Sequence, residues 1–303
     1  MPALAAAAVA APAGASERLS DADVTAVTLK VNARGEALVT YRRESGRIRH
    51  VLAWGAVDAR HPSRDVAQVR FQFDYAGGWR KYRREVWRGF RNACRPYDGP
   101  ELVYLVAACK ARDGSYWALQ EWQRIQPLRG FAAFRPSHME RELHLSHWTG
   151  PLAVLEVSPN WTYGGAFQGL FGRLLYRDVP VHGFRTPSTT RSDGYARFVY
   201  IDTYNSVYGQ GWKRDAAIVT HVPGGGFCFS FVPQKPPPGY PSDRVRGPGV
   251  GERHRVTVMG PGVTPVLQWQ GPALGRFDPE RDGEFNRLFS RLLGGDRACA
   301  RER

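Results

Sequence analysis

The chain has 303 residues, 43% of them hydrophobic and 23% charged, enough for one large or two ordinary domains and too apolar for a disordered chain. No apolar run approaches the about 20 residues that a membrane-spanning helix requires. The formal net charge of +14 favours anionic partners such as cell-wall polymers, membrane surfaces or nucleic acid over cationic ones. Only Lys30, Lys81, Lys110, Lys213 and Lys235 among the 42 basic residues are lysine. With the Ala and Gly load, that arginine bias is read as the mark of a GC-rich genome.

The first 15 residues, MPALAAAAVAAPAGA, are apolar and small. Ala13-Gly14-Ala15 before Ser16 has the form of a signal-peptidase site. A basic n-region is missing, so residues 1–15 are read as a signal-peptide remnant, with a disordered Ala/Pro tail as the plain alternative. Export is the expectation, because the four cysteines agree with it.

Residues 24–54 carry strand signals: VTLKV, ALVTYR and IRHVLAW alternate around the ARGE and SGR turns. VAQVRFQFDYA then alternates, with Val69, Phe71 and Phe73 on one face and Arg70, Gln72 and Asp74 on the other. GGWRKYRREVWRGFRNACRP breaks that period. Trp79, Tyr82, Val86 and Phe90 recur at spacings of three and four, which predicts a short basic amphipathic helix stopped before Pro96. Arg80, Lys81, Arg83, Arg84, Arg88 and Arg91 cover its other face, with Glu85 the one acid. That face is a candidate anion-binding surface; a solvated face over a packed aromatic edge is the plain alternative.

The cysteines are Cys94, Cys109, Cys228 and Cys299, and four allow three pairings. We favour Cys94–Cys109, which closes a short loop, and Cys228–Cys299, which pins the C-terminus to the body. No pair has C-x-x-C spacing, so structural zinc and thioredoxin-like chemistry are weak readings.

ELVYLVAACKARDGSYWALQEWQR reads as a hairpin about a two-residue Asp113-Gly114 turn. It pairs 101–111 with 115–124, Cys109 opposite Ala118 and Leu105 opposite Trp122. Both faces of the second strand carry a tryptophan and its partner is apolar, so Trp117 and Trp122 are read as core rather than as an open stacking platform. Residues 129–142 read as a linker. ELHLSHW and LAVLEVS begin a second β region. Glu142, His144 and Ser146 share one strand face, with no third ligand to complete a metal site.

DTYNSVYGQGWKRD, Asp202 to Asp215, reads as a long loop between two antiparallel strands. Tyr204, Asn205, Tyr208, Gln210 and Trp212 are candidates to stack on and hydrogen-bond a sugar. Asp202 and Asp215 bracket the loop and are weak candidates for the paired carboxylates of glycoside hydrolysis, which need a separation of about 5–9 Å. The Pro/Gly-rich segment 233–249 is read as exposed. Residues 276–303 hold a short amphipathic helix with Phe285, Leu288, Phe289 and Leu292 on one face.

These signals predict a mainly β protein, an antiparallel sandwich or partly closed barrel with a short basic helix and a C-terminal helix. The β regions are expected at 16–128 and 143–275. No G-x-S-x-G, H-E-x-x-H or calcium loop occurs, and no cofactor or metal is expected.

AGGWRKYRREVWRGFRNACRPYDGP, LVAACKARDGSYWALQEWQR, LHLSHWTGPLAVLEV and YIDTYNSVYGQGW resemble a group of exported, largely actinobacterial proteins of undefined function. The resemblance covers most of residues 70–232. It implies export and two disulfides, and carries over no catalytic residue. The leading functional expectation is a secreted or cell-envelope protein that binds envelope or extracellular polysaccharide without catalysis. In that reading the 202–215 loop supplies stacking and residues 80–91 long-range attraction. The alternatives are a glycan hydrolase using Asp202 and Asp215, and a binder of anionic polymers through charge alone; specific nucleic-acid binding is not expected.

Overall fold

The computed structural model describes residues 16–57, 69–123, 139–163, 167–180, 198–206, 208–216, 220–222, 226–230, 251–259 and 265–272. They form four antiparallel sheets, so the mainly β expectation holds, as two packed pairs of sheets with no closed barrel among the described residues. No helix of the described residues is long and apolar enough to cross a membrane.

The first pair of sheets sets β2 (Thr25–Val31), β3 (Ala37–Arg42), β4 (Ile48–Gly55) and β5 (Phe71–Asp74) against a sheet of strand order β1, β8, β7, β6. In that second sheet β1 is Ser16–Ala22, β8 is Arg141–Trp148, β7 is Tyr116–Gln123 and β6 is Leu105–Lys110. Period-2 alternation drives the packing: Val39, Val51 and Phe71 meet Trp117, Leu119 and Leu145 in one buried cluster. The 129–142 linker and the 143–275 region divide the strands differently from the sheets, because β8 pairs with β7 and β1 in this first unit.

The second pair sets β12 (Phe198–Ser206), β13 (Gly209–Ala216), β16 (Arg253–Met259) and β17 (Leu267–Pro272) against a sheet built on β10 (Phe167–Tyr176). β9 (Val154–Tyr163) pairs one edge of β10. β15 (Gly226–Ser230) and the short β11 (Val179–Pro180) pair the other, and β14 (Thr220–Val222) follows β15. Leu170, Leu174, Val199, Ile201, Phe227 and Val256 fill the space between. Gly172 lies opposite Phe227, where a Cβ would stand 2.1 Å from the ring, so only glycine fits.

Both tryptophans of the β7 hairpin are core, Trp117 at 0% and Trp122 at 4% exposure. Trp117 faces the first sandwich, while Trp122 packs with Tyr200 and Val266 where the two units meet. The hairpin register departs from the expected one by one residue at Cys109, which pairs Trp117, and by two at Leu105, which pairs Gln120 across a bulge. Ala111 and Ser115 close the turn, so three residues, not two, span it, with Gly114 at φ +88°. A left-handed glycine in third place is what a three-residue hairpin turn requires.

The predicted basic helix is two short turns. An α-helical turn, α1, covers Trp79–Tyr82 and ends at Arg83 in left-handed conformation; a 3-10 turn follows at Val86–Gly89. Asp74 accepts the backbone N–H groups of Ala76, Arg80 and Lys81 and so caps the first turn, whose own N–H groups have no helical acceptor; the break comes at the left-handed Arg83, after which the Val86 N–H returns to the Gly77 carbonyl and not to Tyr82. Those bonds wind the chain into a compact knot about Asp74, which is 0% exposed, not on the solvent face that alternation assigns it. The expected C-terminal helix at 276–303 lies outside the described residues.

Candidate anion-binding site

At one end of the first sandwich an open cleft of ≈ 630 Å³ lies between the β2–β3 turn, the segment 84–93 and the β6–β7 turn. Three separate stretches of chain supply its guanidinium groups: Arg34, Arg84 with Arg91, and Arg112. The two hairpin turns sit together, since a Cβ on Gly35 would stand 3.7 Å from Asp113 Oδ2.

The segment is stitched across the open edge of the sandwich. Ala93 N–H donates to the Val31 carbonyl at 2.7 Å, and Asn92 Oδ1 accepts from Val31 N–H at 3.1 Å. Arg95 exchanges both backbone hydrogen bonds with Lys110, and a Cys94–Cys109 disulfide locks the same place. Edge strands β2 and β6 are thereby bridged, and the arginine side chains of the segment are held along the cleft wall.

One carboxylate organises the inner wall. Glu36, 4% exposed, accepts from Asn32 Nδ2 at 2.7 Å, Arg34 Nη2 at 3.0 Å, Lys81 Nζ at 2.8 Å and the Tyr82 hydroxyl. Burial pushes its carboxyl up, but the hydrogen bonds from Lys81, Tyr82 and Asn32 together outweigh burial and hold it at about 2. Glu36 thus fixes Arg34 over the Tyr82 ring, 5.2 Å from its centre. Glu85, the one acid on the cleft lining, is engaged by Arg88 at 2.6 Å. Arg84, Arg91 and Arg112 are exposed and have no carboxylate partner among the described residues. Val86 and Phe90 give the wall an apolar part. The chemistry on offer is oxyanion recognition by several guanidinium forks along a groove.

Of the six basic residues singled out by sequence, Arg84 and Arg91 line the cleft. Lys81 is spent on Glu36 and lies 4.0 Å from the Trp54 ring centre; Arg88 is spent on Glu85 and lies 4.5 Å from that of Trp87. Arg80 and Arg83 are exposed outside the cleft. Arg34 and Arg112 were not found by sequence reading, although both sit in turns that the sequence marks, NARGE and ARDGS.

The 202–215 segment is not a long loop but a tight hairpin of β12 and β13. Asp202 is fully buried, bonded by Arg214 Nε at 2.9 Å and Arg255 Nε at 2.8 Å. Asp215 accepts from the Thr203 hydroxyl, on the opposite face of β12 from Asp202, because successive strand residues alternate. The two carboxylates therefore do not converge on one substrate, which corrects the expectation of an acid–base pair. Tyr208 is 6% exposed, within the fold. Asn205 uses its amide on Gly211 N–H and Glu252, fixing the turn. Gln210 is exposed, and Tyr204 pairs across the strands with Trp212, ring centres 5.2 Å apart and planes at 57°. Tyr204, Trp212 and Gln210 remain accessible; the five do not make a flat platform.

His144 is buried, stacks 3.9 Å from Trp122 and lies 3.5 Å from Glu142. Among the described residues no group of three His, Cys, Asp or Glu is placed to hold a metal. Cys299 lies outside the described residues, and with it the second expected disulfide. Compared with known proteins, the chain matches no family model, no curated protein and no solved structure.

Proposed function

We propose that the protein is a non-catalytic binder of anionic polysaccharide or related polyanion in the cell envelope or outside the cell. The observation that carries this reading is the cleft in which Arg84, Arg91 and Arg112 face solvent without a carboxylate partner among the described residues. A surface that gathers cations from three chain segments and neutralises only some of them costs self-repulsion, which a bound polyanion relieves. The overall charge of +14 adds long-range attraction of the same sign. Export is supported by the signal-like N-terminal segment, by the resemblance to exported proteins and by the Cys94–Cys109 disulfide, since such bonds persist in oxidising compartments.

Neutral-glycan stacking is the weaker reading of the same chain, because the guanidinium groups of Arg253 and Arg255 beside Tyr204 and Trp212 make that face prefer an anionic ligand over a neutral one. The hydrolase reading loses its acid–base pair to the Asp202–Arg214–Arg255 cluster.

The test is co-sedimentation of the full chain with purified bacterial cell walls at low and high salt. The protein should pellet with the walls at low salt and be released at high salt, and a triple variant Arg84→Ala/Arg91→Ala/Arg112→Ala should pellet about tenfold less. Equal sedimentation of the variant would remove the cleft from the account.

A further inference from the structure

The outward face of the β13–β12–β16 strands carries a second arrangement of arginine and aromatic side chains, remote in sequence from the cleft. Its rungs follow from strand register. Trp212, Tyr204 and Arg253 lie side by side in one rung; Arg214, Asp202 and Arg255 form the next. The Arg253 guanidinium carbon stands 4.7 Å from the Tyr204 ring centre and 5.7 Å from that of Trp212. Arg255 lies 4.4 Å from Trp212. Arg253 is exposed and has no carboxylate partner among the described residues.

One rung in, Arg214 is 0% exposed and stacks 3.7 Å from the Tyr200 ring centre. Its Nε is committed to Asp202, but Nη1 and Nη2 make no hydrogen bond among the described residues. Asp202 carries one charge against the two guanidinium groups of Arg214 and Arg255, so the row stays net positive, which favours an anion on the neighbouring rung. The face thus pairs an anion preference with half-buried aromatic surface at the edge strand β13.

We propose that this face is a binding subsite for a ring-borne carboxylate, a uronic-acid unit of an acidic polysaccharide. The planar carboxylate matches the fork of Arg253, and the apolar C–H face of the sugar packs against Trp212 and Tyr204. A nucleic-acid base is a poorer occupant, because the two rings stand at 57° and offer no parallel faces for stacking. The inference rests on the polyanion-binding reading and gives its ligand a chemical class: a carboxylated glycan held at two places, by charge in the cleft and by charge with stacking here.

The experiment is calorimetric titration of the full chain with three probes: oligogalacturonides, a neutral glucan oligosaccharide of matched length, and inorganic polyphosphate. Wild type is compared with Trp212→Ala, Arg253→Ala and the cleft variant Arg84→Ala/Arg91→Ala; all these positions are partly or fully exposed, so folding is retained. The expected result is that Trp212→Ala and Arg253→Ala each weaken oligogalacturonide binding by about fivefold or more and leave polyphosphate binding within about twofold, while the cleft variant weakens both. Unchanged oligogalacturonide affinity in Trp212→Ala and Arg253→Ala overturns the subsite and leaves the cleft reading standing. Neutral glucan binding as tightly as oligogalacturonide overturns the carboxylate specificity. Binding of neither anionic probe overturns both the subsite and the polyanion reading.

Discussion

Gln120 on β7 holds the backbone of Val266 with both ends of its amide: Nε2 donates to the Val266 carbonyl at 3.2 Å, and Oε1 accepts the Val266 N–H at 2.9 Å. The same Nε2 donates to the Val103 carbonyl at 2.8 Å. Gln120 belongs to the first sandwich and Val266 leads into β17 of the second, so one fully buried side chain ties the units together. Gln120→Leu keeps the volume but strands backbone groups of Val266 and Val103. It should lower unfolding free energy by about 2–4 kcal/mol in urea titration. A loss under about 0.5 kcal/mol would mean the junction is held by Trp122, Tyr200 and Val266 packing alone.

Asp202 compensates two guanidinium groups in a buried row. Removing it by Asp202→Ala leaves Arg214 buried beside its missing partner, and should cost about 3–5 kcal/mol of stability. Thermal unfolding measured by circular dichroism reads this directly. An unaltered melting temperature would contradict the placement of Asp202 at the centre of the row.

The Cys94–Cys109 bridge closes a loop with a sequence separation of 15 residues. A loop of that size stabilises by about 3 kcal/mol through the unfolded chain. Cys94→Ser/Cys109→Ser should lose about that much in denaturant unfolding, and reductant should lower wild-type stability while leaving that bond's contribution absent from the variant. Binding of polyphosphate should weaken with it, because the bridge anchors the segment that carries Arg84 and Arg91.

Acid should weaken the cleft wall through Glu36. Its folded-state carboxyl is held at about 2 against an ordinary 4.5, so it contributes stability that is fully present above 4.5. That contribution, on the order of 3 kcal/mol, is lost as pH falls from about 4.5 towards 2. Glu36→Gln should therefore be less stable than wild type at pH 7 and flatten the stability profile across that window. His254 is held by burial at about 4, below its ordinary 6.5, so its imidazole is neutral at pH 7. NMR titration should find no protonation of His254 above about pH 5.

Alternation located the half-buried strands, and Asp113-Gly114 located the hairpin, because these signals are local. The register departs by one residue at Cys109 and by two at Leu105, since a three-residue turn and a bulge near Leu105 depend on backbone detail. The spacing of Trp79, Tyr82, Val86 and Phe90 looks helical, and Asp74 caps one turn of it, yet the left-handed Arg83 and the Val86 N–H bond to the Gly77 carbonyl end that turn before the next begins. Arg84 and Arg91 were legible as a charge cluster. Arg34 and Arg112 were not, because what unites them with the segment is the packing of two sheets whose turns emerge at one end. Asp202 and Asp215 were legible as carboxylates near each other in sequence, but strand parity sends them to opposite faces.

The central claim is that the arginine cleft is the polyanion site, and the salt dependence of polyphosphate binding tests it most directly. The dissociation constant of the full chain is measured across a series of salt concentrations, for wild type and for Arg84→Ala/Arg91→Ala/Arg112→Ala. The account predicts a steep wild-type dependence and a log–log slope that shrinks by about two to three charges in the variant. Equal slopes for the two proteins would contradict it, and would assign the attraction to the net charge of the whole molecule.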